Sequence, residues 1–161
     1  MNESIPDNIR LQFPSDLEYI PAIRKFISEV LQIDGFSSKF AYRSEIIIDE
    51  ICNNAVVYGC KSLNDIVDLS CTIFKDRIEV NVKDQGGAKS NIERLRQALK
   101  REKSDIQDIS EEYSGRGTSG LGFEIIRTLS EEVEFEIDEN NLTSIKVVRR
   151  REQDSAEDKQ F

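Results

Sequence analysis

Apolar residues in the first third of the chain recur at spacings of three and four, which is the period of an amphipathic helix. A first helix is predicted after Ser15 and Glu18, whose spacing is that of a capping box, and Asp34-Gly35 breaks its pattern. A second helix is predicted from residue 38 to residue 58, with Gly59 as its C-terminal stop. Two consecutive helices with one apolar face each are therefore predicted early in the chain.

Apolar and polar residues alternate in five other segments, which is typical of β-strands with one buried face. The predicted strands are residues 9–13, 66–74, 77–83, 132–137 and 143–148. A charged helix is predicted at residues 91–103 and an amphipathic helix at residues 120–129. The polar, glycine-bearing segment at 104–119 between them indicates a mobile loop.

Length and composition favour one domain of ordinary size. With 161 residues, 38% of them hydrophobic and 33% charged, the chain can bury a core without disulfide bonds. We expect a flexible leader at residues 1–8, a domain at residues 9–149 and a disordered charged tail at residues 150–161. The chain shows no export signal and no apolar run of the roughly 18–20 residues that span a bilayer, so we expect a cytoplasmic location and no membrane association.

Charge and residue types exclude several classes of function. The net charge is -9, whereas proteins that bind a nucleic acid backbone present a basic face, so we expect no direct nucleic acid binding. The sequence contains no histidine, which excludes histidine-based catalytic triads and histidine-ligated metals. Cys52, Cys60 and Cys71 lack the close-paired spacing of a zinc site, so we expect them to be buried structural thiols.

The strongest chemical signal is a carboxylate and a carboxamide one turn apart in the second predicted helix. Glu50, Asn54 and Tyr58 fall on one stripe of that helix, beside an apolar stripe that can be buried. Such a pair suits a divalent cation with phosphate ligands, because the amide oxygen is a hard neutral donor and the carboxylate can take a proton. The alternative is a helix that merely exposes two polar residues to solvent.

Two glycine-bearing motifs follow later in the chain. Asp84-Gln-Gly86 ends a predicted strand, where the carboxylate can accept a hydrogen bond from an exocyclic amine and the glycine lets a ligand approach; the alternative is an ordinary turn. The glycine-rich segment 114–122, which contains Arg116, leads directly into a helix whose N-terminal amides attract phosphate oxygens. It has the spacing of neither a Walker A loop nor a dinucleotide fingerprint, and its alternative is a flexible hinge.

In their order and separation, these motifs resemble the nucleotide-binding boxes of the Bergerat-fold (GHKL) ATPases. The segment Glu50-Ile-Cys-Asn-Asn54 is similar to the N box, Asp84-Gln-Gly86 to the G1 box, and Gly115-Arg-Gly117 with Gly120-Leu-Gly122 to the G2 box. Within that superfamily, the chain looks most like the bacterial anti-sigma factors that are serine-protein kinases. The resemblance implies an α/β two-layer sandwich of the α+β class, with a mixed, mostly antiparallel sheet and helices packed on one face.

The same resemblance implies ATP and Mg²⁺ as cofactors and gives each motif residue a role. Glu50 would be the catalytic residue that orients or deprotonates the attacking hydroxyl, and Asn54 would coordinate Mg²⁺. Asp84 would bind the adenine amine, Gly86 would leave room for the base, and Thr143 would support adenine recognition through water. The phosphate contacts are assigned to an ATP lid at about residues 87–119 and to the start of the helix after it, at Arg116, Gly117, Gly120, Leu121 and Gly122.

The resemblance also implies a homodimeric regulator with two protein partners. It would sequester a sigma factor and phosphorylate a Ser or Thr of a STAS-type anti-anti-sigma antagonist. Two alternatives remain open, namely a nucleotide-binding partner-switch regulator without kinase activity and a stand-alone histidine-kinase catalytic domain. Three residues depart from the family pattern, with Ala88 and Leu142 at glycine positions and Tyr58 at a basic or histidine position, and none of them removes a central ligand.

Overall fold

The computed structural model of the protein describes residues 5–86, 93, 97, 121–140 and 142–152. In this part of the chain, helices pack on one face of a five-stranded sheet. The strands are β1 (Asp7–Pro14), β2 (Ile66–Ile73), β3 (Arg77–Lys83), β4 (Glu132–Ile137) and β5 (Thr143–Arg150). The helices are α1 (Ile20–Ile33), α2 (Ser38–Gly59) and α3 (Leu121–Leu129), and a short 3₁₀ turn at Leu17–Tyr19 precedes α1.

The sheet has the order β1-β2-β3-β5-β4, so that β5 lies between β3 and the edge strand β4. The expected α+β fold with helices on one face is confirmed. The sheet was expected to be mixed and mostly antiparallel, and each pair formed by the described strands is antiparallel. Two of the four pairs, β2–β3 and β4–β5, are hairpins, and a tight turn can join only antiparallel strands.

The core lies between the helices and the inner face of the sheet. Every second residue of β2 and β3 is buried, as the alternating sequence pattern predicts. Helix α2 supplies most of the facing surface, through Ile47, Ile48, Ile51, Cys52 and Ala55. All three cysteines are buried and free, which confirms the prediction of structural thiols, and burial raises the pKa of the Cys71 thiol to about 12.

Helix α1 begins differently from the prediction. Asp16 provides the cap, since its carboxylate accepts a hydrogen bond of 3.0 Å from the N–H of Glu18 at the 3₁₀ turn, and α1 begins only at Ile20. Ser15 is buried instead, and its N–H donates to the carbonyl of Asp65 at 2.8 Å. The predicted capping box of Ser15 and Glu18 is therefore wrong, because the end of β1 is tied to the segment before β2.

The ends of α1 and α2 follow the sequence signals. Gly35 has a φ of +88°, a left-handed conformation that favours glycine, and its N–H donates to the carbonyl of Gln32 at 3.1 Å. The Ser37 hydroxyl caps α2 by accepting a hydrogen bond of 3.0 Å from the N–H of Phe40. Helix α2 then continues without a break to Gly59, where the sequence predicted its end.

An aromatic stack joins the α1–α2 connection to the end of β5. The rings of Phe36 and Phe40 stack with their centroids 4.6 Å apart. The guanidinium carbon of Arg149 lies 4.1 Å from the centre of the Phe40 ring, and that of Arg151 lies 3.9 Å from the centre of the Phe36 ring. Two aromatic rings are thus enclosed between two cations, an arrangement that favours both cation–π contacts.

The C-terminal tail begins later than predicted. Strand β5 continues to Arg150, and the Arg151 guanidinium donates to the carbonyls of Gly35 and Lys75, each at 2.8 Å. Glu152 accepts a hydrogen bond of 2.6 Å from Arg43. The expectation of a disordered tail is therefore wrong for residues 150–152, because charged side chains that look solvent-exposed in the sequence have partners on α2 and in two turns.

Several other expectations concern the ends of the described ranges. Residues 7 and 8, which were expected in the leader, belong to β1, where Asp7 pairs with Ile73. Residues 1–4, most of the predicted helix at 91–103, the segment 104–119 and residues 153–161 lie outside the described residues. Within the described ranges, no helix combines the length and the apolar character that a membrane span requires.

Replacing the buried Ile27 by alanine should lower the free energy of unfolding by about 2–5 kcal/mol, because the substitution removes apolar contacts and leaves a cavity. Ile33 on the same helix is 82% exposed, so the matched change Ile33→Ala should alter that free energy by no more than about 0.5 kcal/mol. Urea denaturation followed by circular dichroism measures both. Equal losses in the two variants would contradict the placement of α1.

Candidate functional site

A hollow lies between α2 and the sheet, where β3 ends and β5 begins. Its lining residues are Ile51, Asn54, Ala55, Val82, Asp84, Phe135, Thr143 and Ile145. It encloses about 280 Å³ of atom-free space, including its open mouth. Much of this space is open to solvent, so the position of the hollow and its lining side chains, and not its volume, indicate where a ligand could bind.

The acceptor at the bottom of the hollow is the carboxylate of Asp84. Its Oδ1 accepts hydrogen bonds from the N–H of Gly86 at 3.0 Å and from the N–H of Thr143 at 2.9 Å. Its Oδ2 accepts a hydrogen bond from the Thr143 hydroxyl. A carboxylate offers about four acceptor positions, and three of them are used here, so one position on Oδ2 remains for the donor of a ligand.

The segment after β3 is shaped by its own side chains. Gly86 has a φ of +91°, which a residue with a side chain adopts only under strain, and this turn brings its N–H back to Asp84. The side-chain carbonyl of Gln85 accepts a hydrogen bond of 2.9 Å from the N–H of Ile66 at the start of β2. The middle residue of the motif Asp84-Gln-Gly86 therefore ties the turn to the sheet.

Burial changes the acidity of this carboxylate. Asp84 is 6% exposed, and its desolvation raises the pKa from the usual 3.8 to about 6. The hydrogen bonds from Thr143 and Gly86 lower the pKa and so oppose part of that rise, while the charges of Asp138 and Asp65 add to it. The carboxylate is thus ionised at neutral pH and able to accept a hydrogen bond, but it is protonated in mildly acidic solution.

Gly59, the last residue of α2, leaves the space that this carboxylate occupies. A Cβ atom placed on Gly59 would lie 2.9 Å from the Cβ of Asp84 and would overlap its carboxylate group. The sequence indicated only a helix stop at this position. The structure adds a second reason for glycine, since the end of α2 packs directly on the acceptor of the hollow.

Glu50 and Asn54 lie one turn apart on α2, and both are partly buried. Asn54 lines the hollow, and among the described residues its buried Nδ2 has no hydrogen-bond partner. Glu50 does not line the hollow; it lies one turn earlier on the helix. Burial raises the pKa of Glu50, and the charge of Asp49 adds to the effect.

The neighbours of these two residues are engaged in structural contacts. Asp49 accepts a hydrogen bond of 2.6 Å from Arg24 of α1, which joins the two helices by an ion pair. The side-chain amide of Asn53 donates to the carbonyl of Asp49 at 2.6 Å, within α2. Residues of the same chemistry therefore lie next to Glu50 and Asn54 and serve as matched controls.

The residues present fit a magnesium ion whose coordination comes mainly from water and the phosphates of a bound nucleotide, with few protein side chains. Across the described ranges, no group of three or more Asp, Glu, Cys or His side chains converges as a metal site. Mg²⁺ commonly uses one or two protein oxygens, several waters and the phosphates of a nucleotide. Asn54, with its unsatisfied amide beside the hollow, provides such a side chain when its oxygen faces the ion.

The structure brings Asn54, Asp84 and Thr143 together around one hollow, although they come from separate parts of the chain. Tyr58, on the same predicted stripe as Asn54, is buried. Leu121 and Gly122 form the first turn of α3, which packs against α2. Arg116, Gly117 and Gly120 lie outside the described residues.

Sequence reasoning missed the apolar walls of the hollow. Val82, Ile145 and Phe135 come from three neighbouring strands, and each faces inward. The alternation within each strand predicted which residues face inward, but not which of them end beside Asp84. That information depends on the strand order, which brings β4 and β5 next to β3.

A family model described as the histidine kinase-like ATPase domain matches residues 13–148. The chain belongs to this family. The match contains every described residue that lines the hollow. It also confirms the resemblance inferred from the N, G1 and G2 boxes, and with it the prediction of an ATP-binding domain class.

Several members of the histidine kinase-like ATPase family are similar to this chain over most of their length. Serine-protein kinase RsbW of Bacillus licheniformis is 30% identical, over 91% of this chain and 88% of that protein. The protein of the same name from Listeria monocytogenes, serovar 1/2a, is 28% identical, over 83% of this chain and 82% of that protein. The one from Staphylococcus epidermidis is 30% identical, over 81% of this chain and 80% of that protein. The chain thus groups with the serine-protein kinases of the family, as its sequence motifs predicted.

A solved structure supports the fold independently. The crystal structure of the RsbU and RsbW domains of Rv1364c from Mycobacterium tuberculosis superposes with a TM-score of 0.61 at 12% identity. The similarity covers 92% of this chain and 34% of that longer protein. The shared fold thus extends over almost the whole chain.

Replacing Gly59 by alanine should weaken ATP binding about tenfold or more, because the new Cβ displaces the Asp84 carboxylate and such overpacking costs about 1–3 kcal/mol. Alanine itself is compatible with the helix that ends here. Isothermal titration calorimetry with Mg-ATP measures the dissociation constant.

The matched control is Gly35→Ala. It strains a left-handed backbone position at the end of α1 and should lower stability without changing ATP affinity. Unchanged ATP affinity in a folded Gly59→Ala variant would contradict the role given to the contact between Gly59 and Asp84.

Binding of adenosine should depend on pH with a midpoint near the pKa of Asp84. We expect the Asp84 carboxylate to accept a hydrogen bond from the amine of adenine, for which it must be ionised, so affinity should be constant above about pH 7 and should fall about tenfold per pH unit well below pH 6. Adenosine is the appropriate ligand because it carries no phosphate that titrates in this range. NMR titrations of the protein at several pH values give the dissociation constants.

The variant Asp84→Asn separates binding from folding. Its amide can donate to the Thr143 hydroxyl, but it presents a donor where the adenine amine needs an acceptor, so adenosine binding should be lost at every pH. Because the folded-state pKa is raised, the protonated carboxyl stabilises the fold below about pH 4 and this stabilisation is lost as the pH rises through about 6. The neutral variant should therefore gain stability relative to the original protein above pH 6.

Proposed function

We propose that the protein is an ATP-dependent serine/threonine kinase that acts on a protein substrate. The observation that carries the proposal is the convergence of Asn54, Asp84 and Thr143 on one hollow, with Glu50 one turn from Asn54 on the same helix. Family membership and the serine-protein kinases among the relatives support it.

Adenine recognition is proposed for the hollow. The remaining acceptor position of Asp84 Oδ2 suits the exocyclic amine, and the Thr143 hydroxyl beside it can bond to a water that contacts the ring. The flat ring would lie between apolar side chains from α2 and the sheet, such as Ala55 and Ile145. Guanine has a carbonyl where adenine has this amine, so Asp84 would disfavour it by leaving two acceptors opposed.

The triphosphate is proposed to extend from the hollow along α2 toward the N-terminus of α3. The backbone N–H groups of Leu121 and Gly122 belong to the first turn of α3, where a helix has unpaired donors and a positive dipole end. Asn54 would hold Mg²⁺, which neutralises charge on the transferred phosphoryl group when it is bound. Arg116, Gly117 and Gly120 are proposed as further phosphate contacts from the ATP lid.

Glu50 is the proposed catalytic residue. It would orient the substrate hydroxyl and accept its proton as the hydroxyl oxygen forms a bond to the γ-phosphorus and the bond from that phosphorus to the β–γ bridging oxygen breaks. The products are a phosphorylated side chain and ADP. A carboxylate whose pKa is raised by partial burial is a better proton acceptor than an exposed one at neutral pH.

The protein partners are proposed from the resemblance to anti-sigma kinases. The chain would hold a sigma factor in an inactive complex, phosphorylate a STAS-type anti-anti-sigma antagonist, and act in the cytoplasm as a homodimer. Its net charge of -9 would speed association with basic partner surfaces. Co-purification with mass spectrometry identifies the partners, and light scattering measures the oligomeric state.

The Glu50→Gln variant should lose phosphoryl transfer to the antagonist by about a hundredfold to ten-thousandfold while its ATP affinity stays unchanged, because the amide cannot accept the proton. Incubation with labelled ATP and the co-purified antagonist measures transfer, and calorimetry measures binding. The neighbouring variant Asp49→Asn is the control, since Asp49 pairs with Arg24 and should affect transfer much less.

The chemistry of the product separates the alternatives. A phosphoserine or phosphothreonine survives acid, whereas a phosphohistidine does not, so an acid-labile product would identify a histidine-kinase catalytic domain instead. Binding of ATP and of both partners without any transfer would identify a partner-switch regulator without kinase activity. Transfer that persists in Glu50→Gln would refute the role of Glu50.

A further inference from the structure

Arg149 is a buried cation that the proposed chemistry does not use. It is on the inner face of β5 and only 3% exposed, and burial lowers its pKa to about 10, so it remains charged at neutral pH. Burial of a charge without partners is strongly unfavourable. The contacts of Arg149 therefore show what its charge is used for.

The guanidinium of Arg149 joins two helices. Its Nε donates to the carbonyl of Leu129, the last residue of α3, at 2.8 Å. Its Nη1 donates to the carbonyl of Phe40 at 2.9 Å and to the hydroxyl of Ser44 at 2.6 Å, both in the first turns of α2. The Phe40 ring packs against its face, and Glu152 lies 3.7 Å away. One side chain of β5 thus holds the C-terminus of α3 to the N-terminal part of α2.

This connection restricts where the other end of α3 can lie. Helix α3 packs against α2, and its last residue shares the Arg149 guanidinium with Ser44, so an antiparallel course would carry α3 along α2 toward the C-terminal half of that helix. The nine residues of α3 span about 12 Å at 1.5 Å per residue, which corresponds to the length of α2 from Ser44 to Cys52. On that course the first turn of α3 would come within about one turn of Asn54.

We propose that Arg149 is a positioning residue that directs the N-terminal amides of α3 toward the phosphates of the nucleotide. This inference rests on the proposed function, which places the phosphates near Asn54 and the start of α3. Isolated helices of nine residues are marginal in water, so the direction of α3 depends on its tertiary contacts. A cation at its C-terminus also stabilises the helix dipole, whose positive end faces the phosphates.

The arrangement separates two parts of nucleotide binding. Adenine is recognised by Asp84 and Thr143, which are held by the ends of β3 and β5 and do not contact Arg149. The phosphates are recognised through α3. Loss of the Arg149 contacts should therefore weaken binding of ATP and leave binding of adenosine unchanged, whereas general loosening of the fold should weaken both.

The variant Arg149→Met keeps an unbranched side chain as far as the position of Nε but removes every donor. We expect its dissociation constant for Mg-ATP to rise about tenfold, as for the loss of one or two charge-assisted hydrogen bonds, and its dissociation constant for adenosine to change less than about twofold. Titrations of the full chain followed by ¹H–¹⁵N NMR spectra measure both constants and show whether the variant is folded.

Arg151→Met is the matched control. Arg151 also packs on an aromatic ring and donates to carbonyls, but its partners are Phe36, Gly35 and Lys75, away from α3. This variant should lower the melting temperature without changing the ratio of ATP to adenosine affinity. A change in that ratio as large as in Arg149→Met would overturn the proposal. It would show that removing any arginine contact at the end of β5 weakens ATP binding.

Arg149→Lys tests the proposal without removing the charge. If Arg149→Met does not fold, this second variant shows whether the Arg149 contacts affect ATP binding. An ammonium group cannot reach the three acceptors as a planar guanidinium does, so we expect a smaller fall in the ratio of affinities, of about threefold. An unchanged ratio of ATP to adenosine affinity in folded Arg149→Met and Arg149→Lys would overturn the role of Arg149 without contradicting the proposed function. Failure of the original protein to bind ATP at all would instead refute the proposed function, and this inference with it.

Discussion

The buried carboxylate of Asp84 is the constraint on which the site depends. An ionised group can stay in an apolar environment only when hydrogen bonds replace the water it has lost. Here the replacements are two backbone N–H groups and one hydroxyl, from Gly86 and Thr143, and they leave one acceptor position open. The backbone of β3 and β5 therefore fixes the acceptor before any ligand arrives, and little reorganisation is needed when the ligand binds.

The same constraint explains why α2 is both the main core helix and the main helix of the site. One stripe of α2 contributes Ile47, Ile48 and Ile51 to the core, while the adjacent stripe carries Glu50 and Asn54. The helix ends at Gly59, against the Asp84 carboxylate. Because α2 carries Glu50 and Asn54 and ends against Asp84, core packing sets the distances between the three side chains, and phosphoryl transfer depends on such positioning.

Much of this could be predicted from the sequence because local signals were strong. The bounds of β3 and β4, the end of α1 at Asp34-Gly35 and the whole length of α2 follow from periodicity and glycine positions. The spacing of Glu50 and Asn54 and the motif at Asp84 predicted the site through a family resemblance, which the comparisons support.

What could not be predicted depends on contacts between distant segments. The capping box at Ser15 failed because Ser15 bonds to Asp65, fifty residues later, and Asp16 provides the cap. The second role of Gly59 requires knowledge that α2 ends against Asp84, and the tail prediction failed because Arg151 bonds to carbonyls of two separate turns. Sequence periodicity carries no information about which carbonyl a long side chain reaches.

Arg149 extends this reasoning from the walls of the hollow to the direction of a short helix. A helix N-terminus attracts phosphate over only its first turn, so an error of direction at α3 would remove the benefit of its dipole. The C-terminal end of α3 is held where Leu129 and Ser44 bond to one planar guanidinium of β5, in addition to the buried Ile126 and the direct connection to β4. Since β5 also carries Thr143, a single strand contacts both the Asp84 carboxylate and the end of α3.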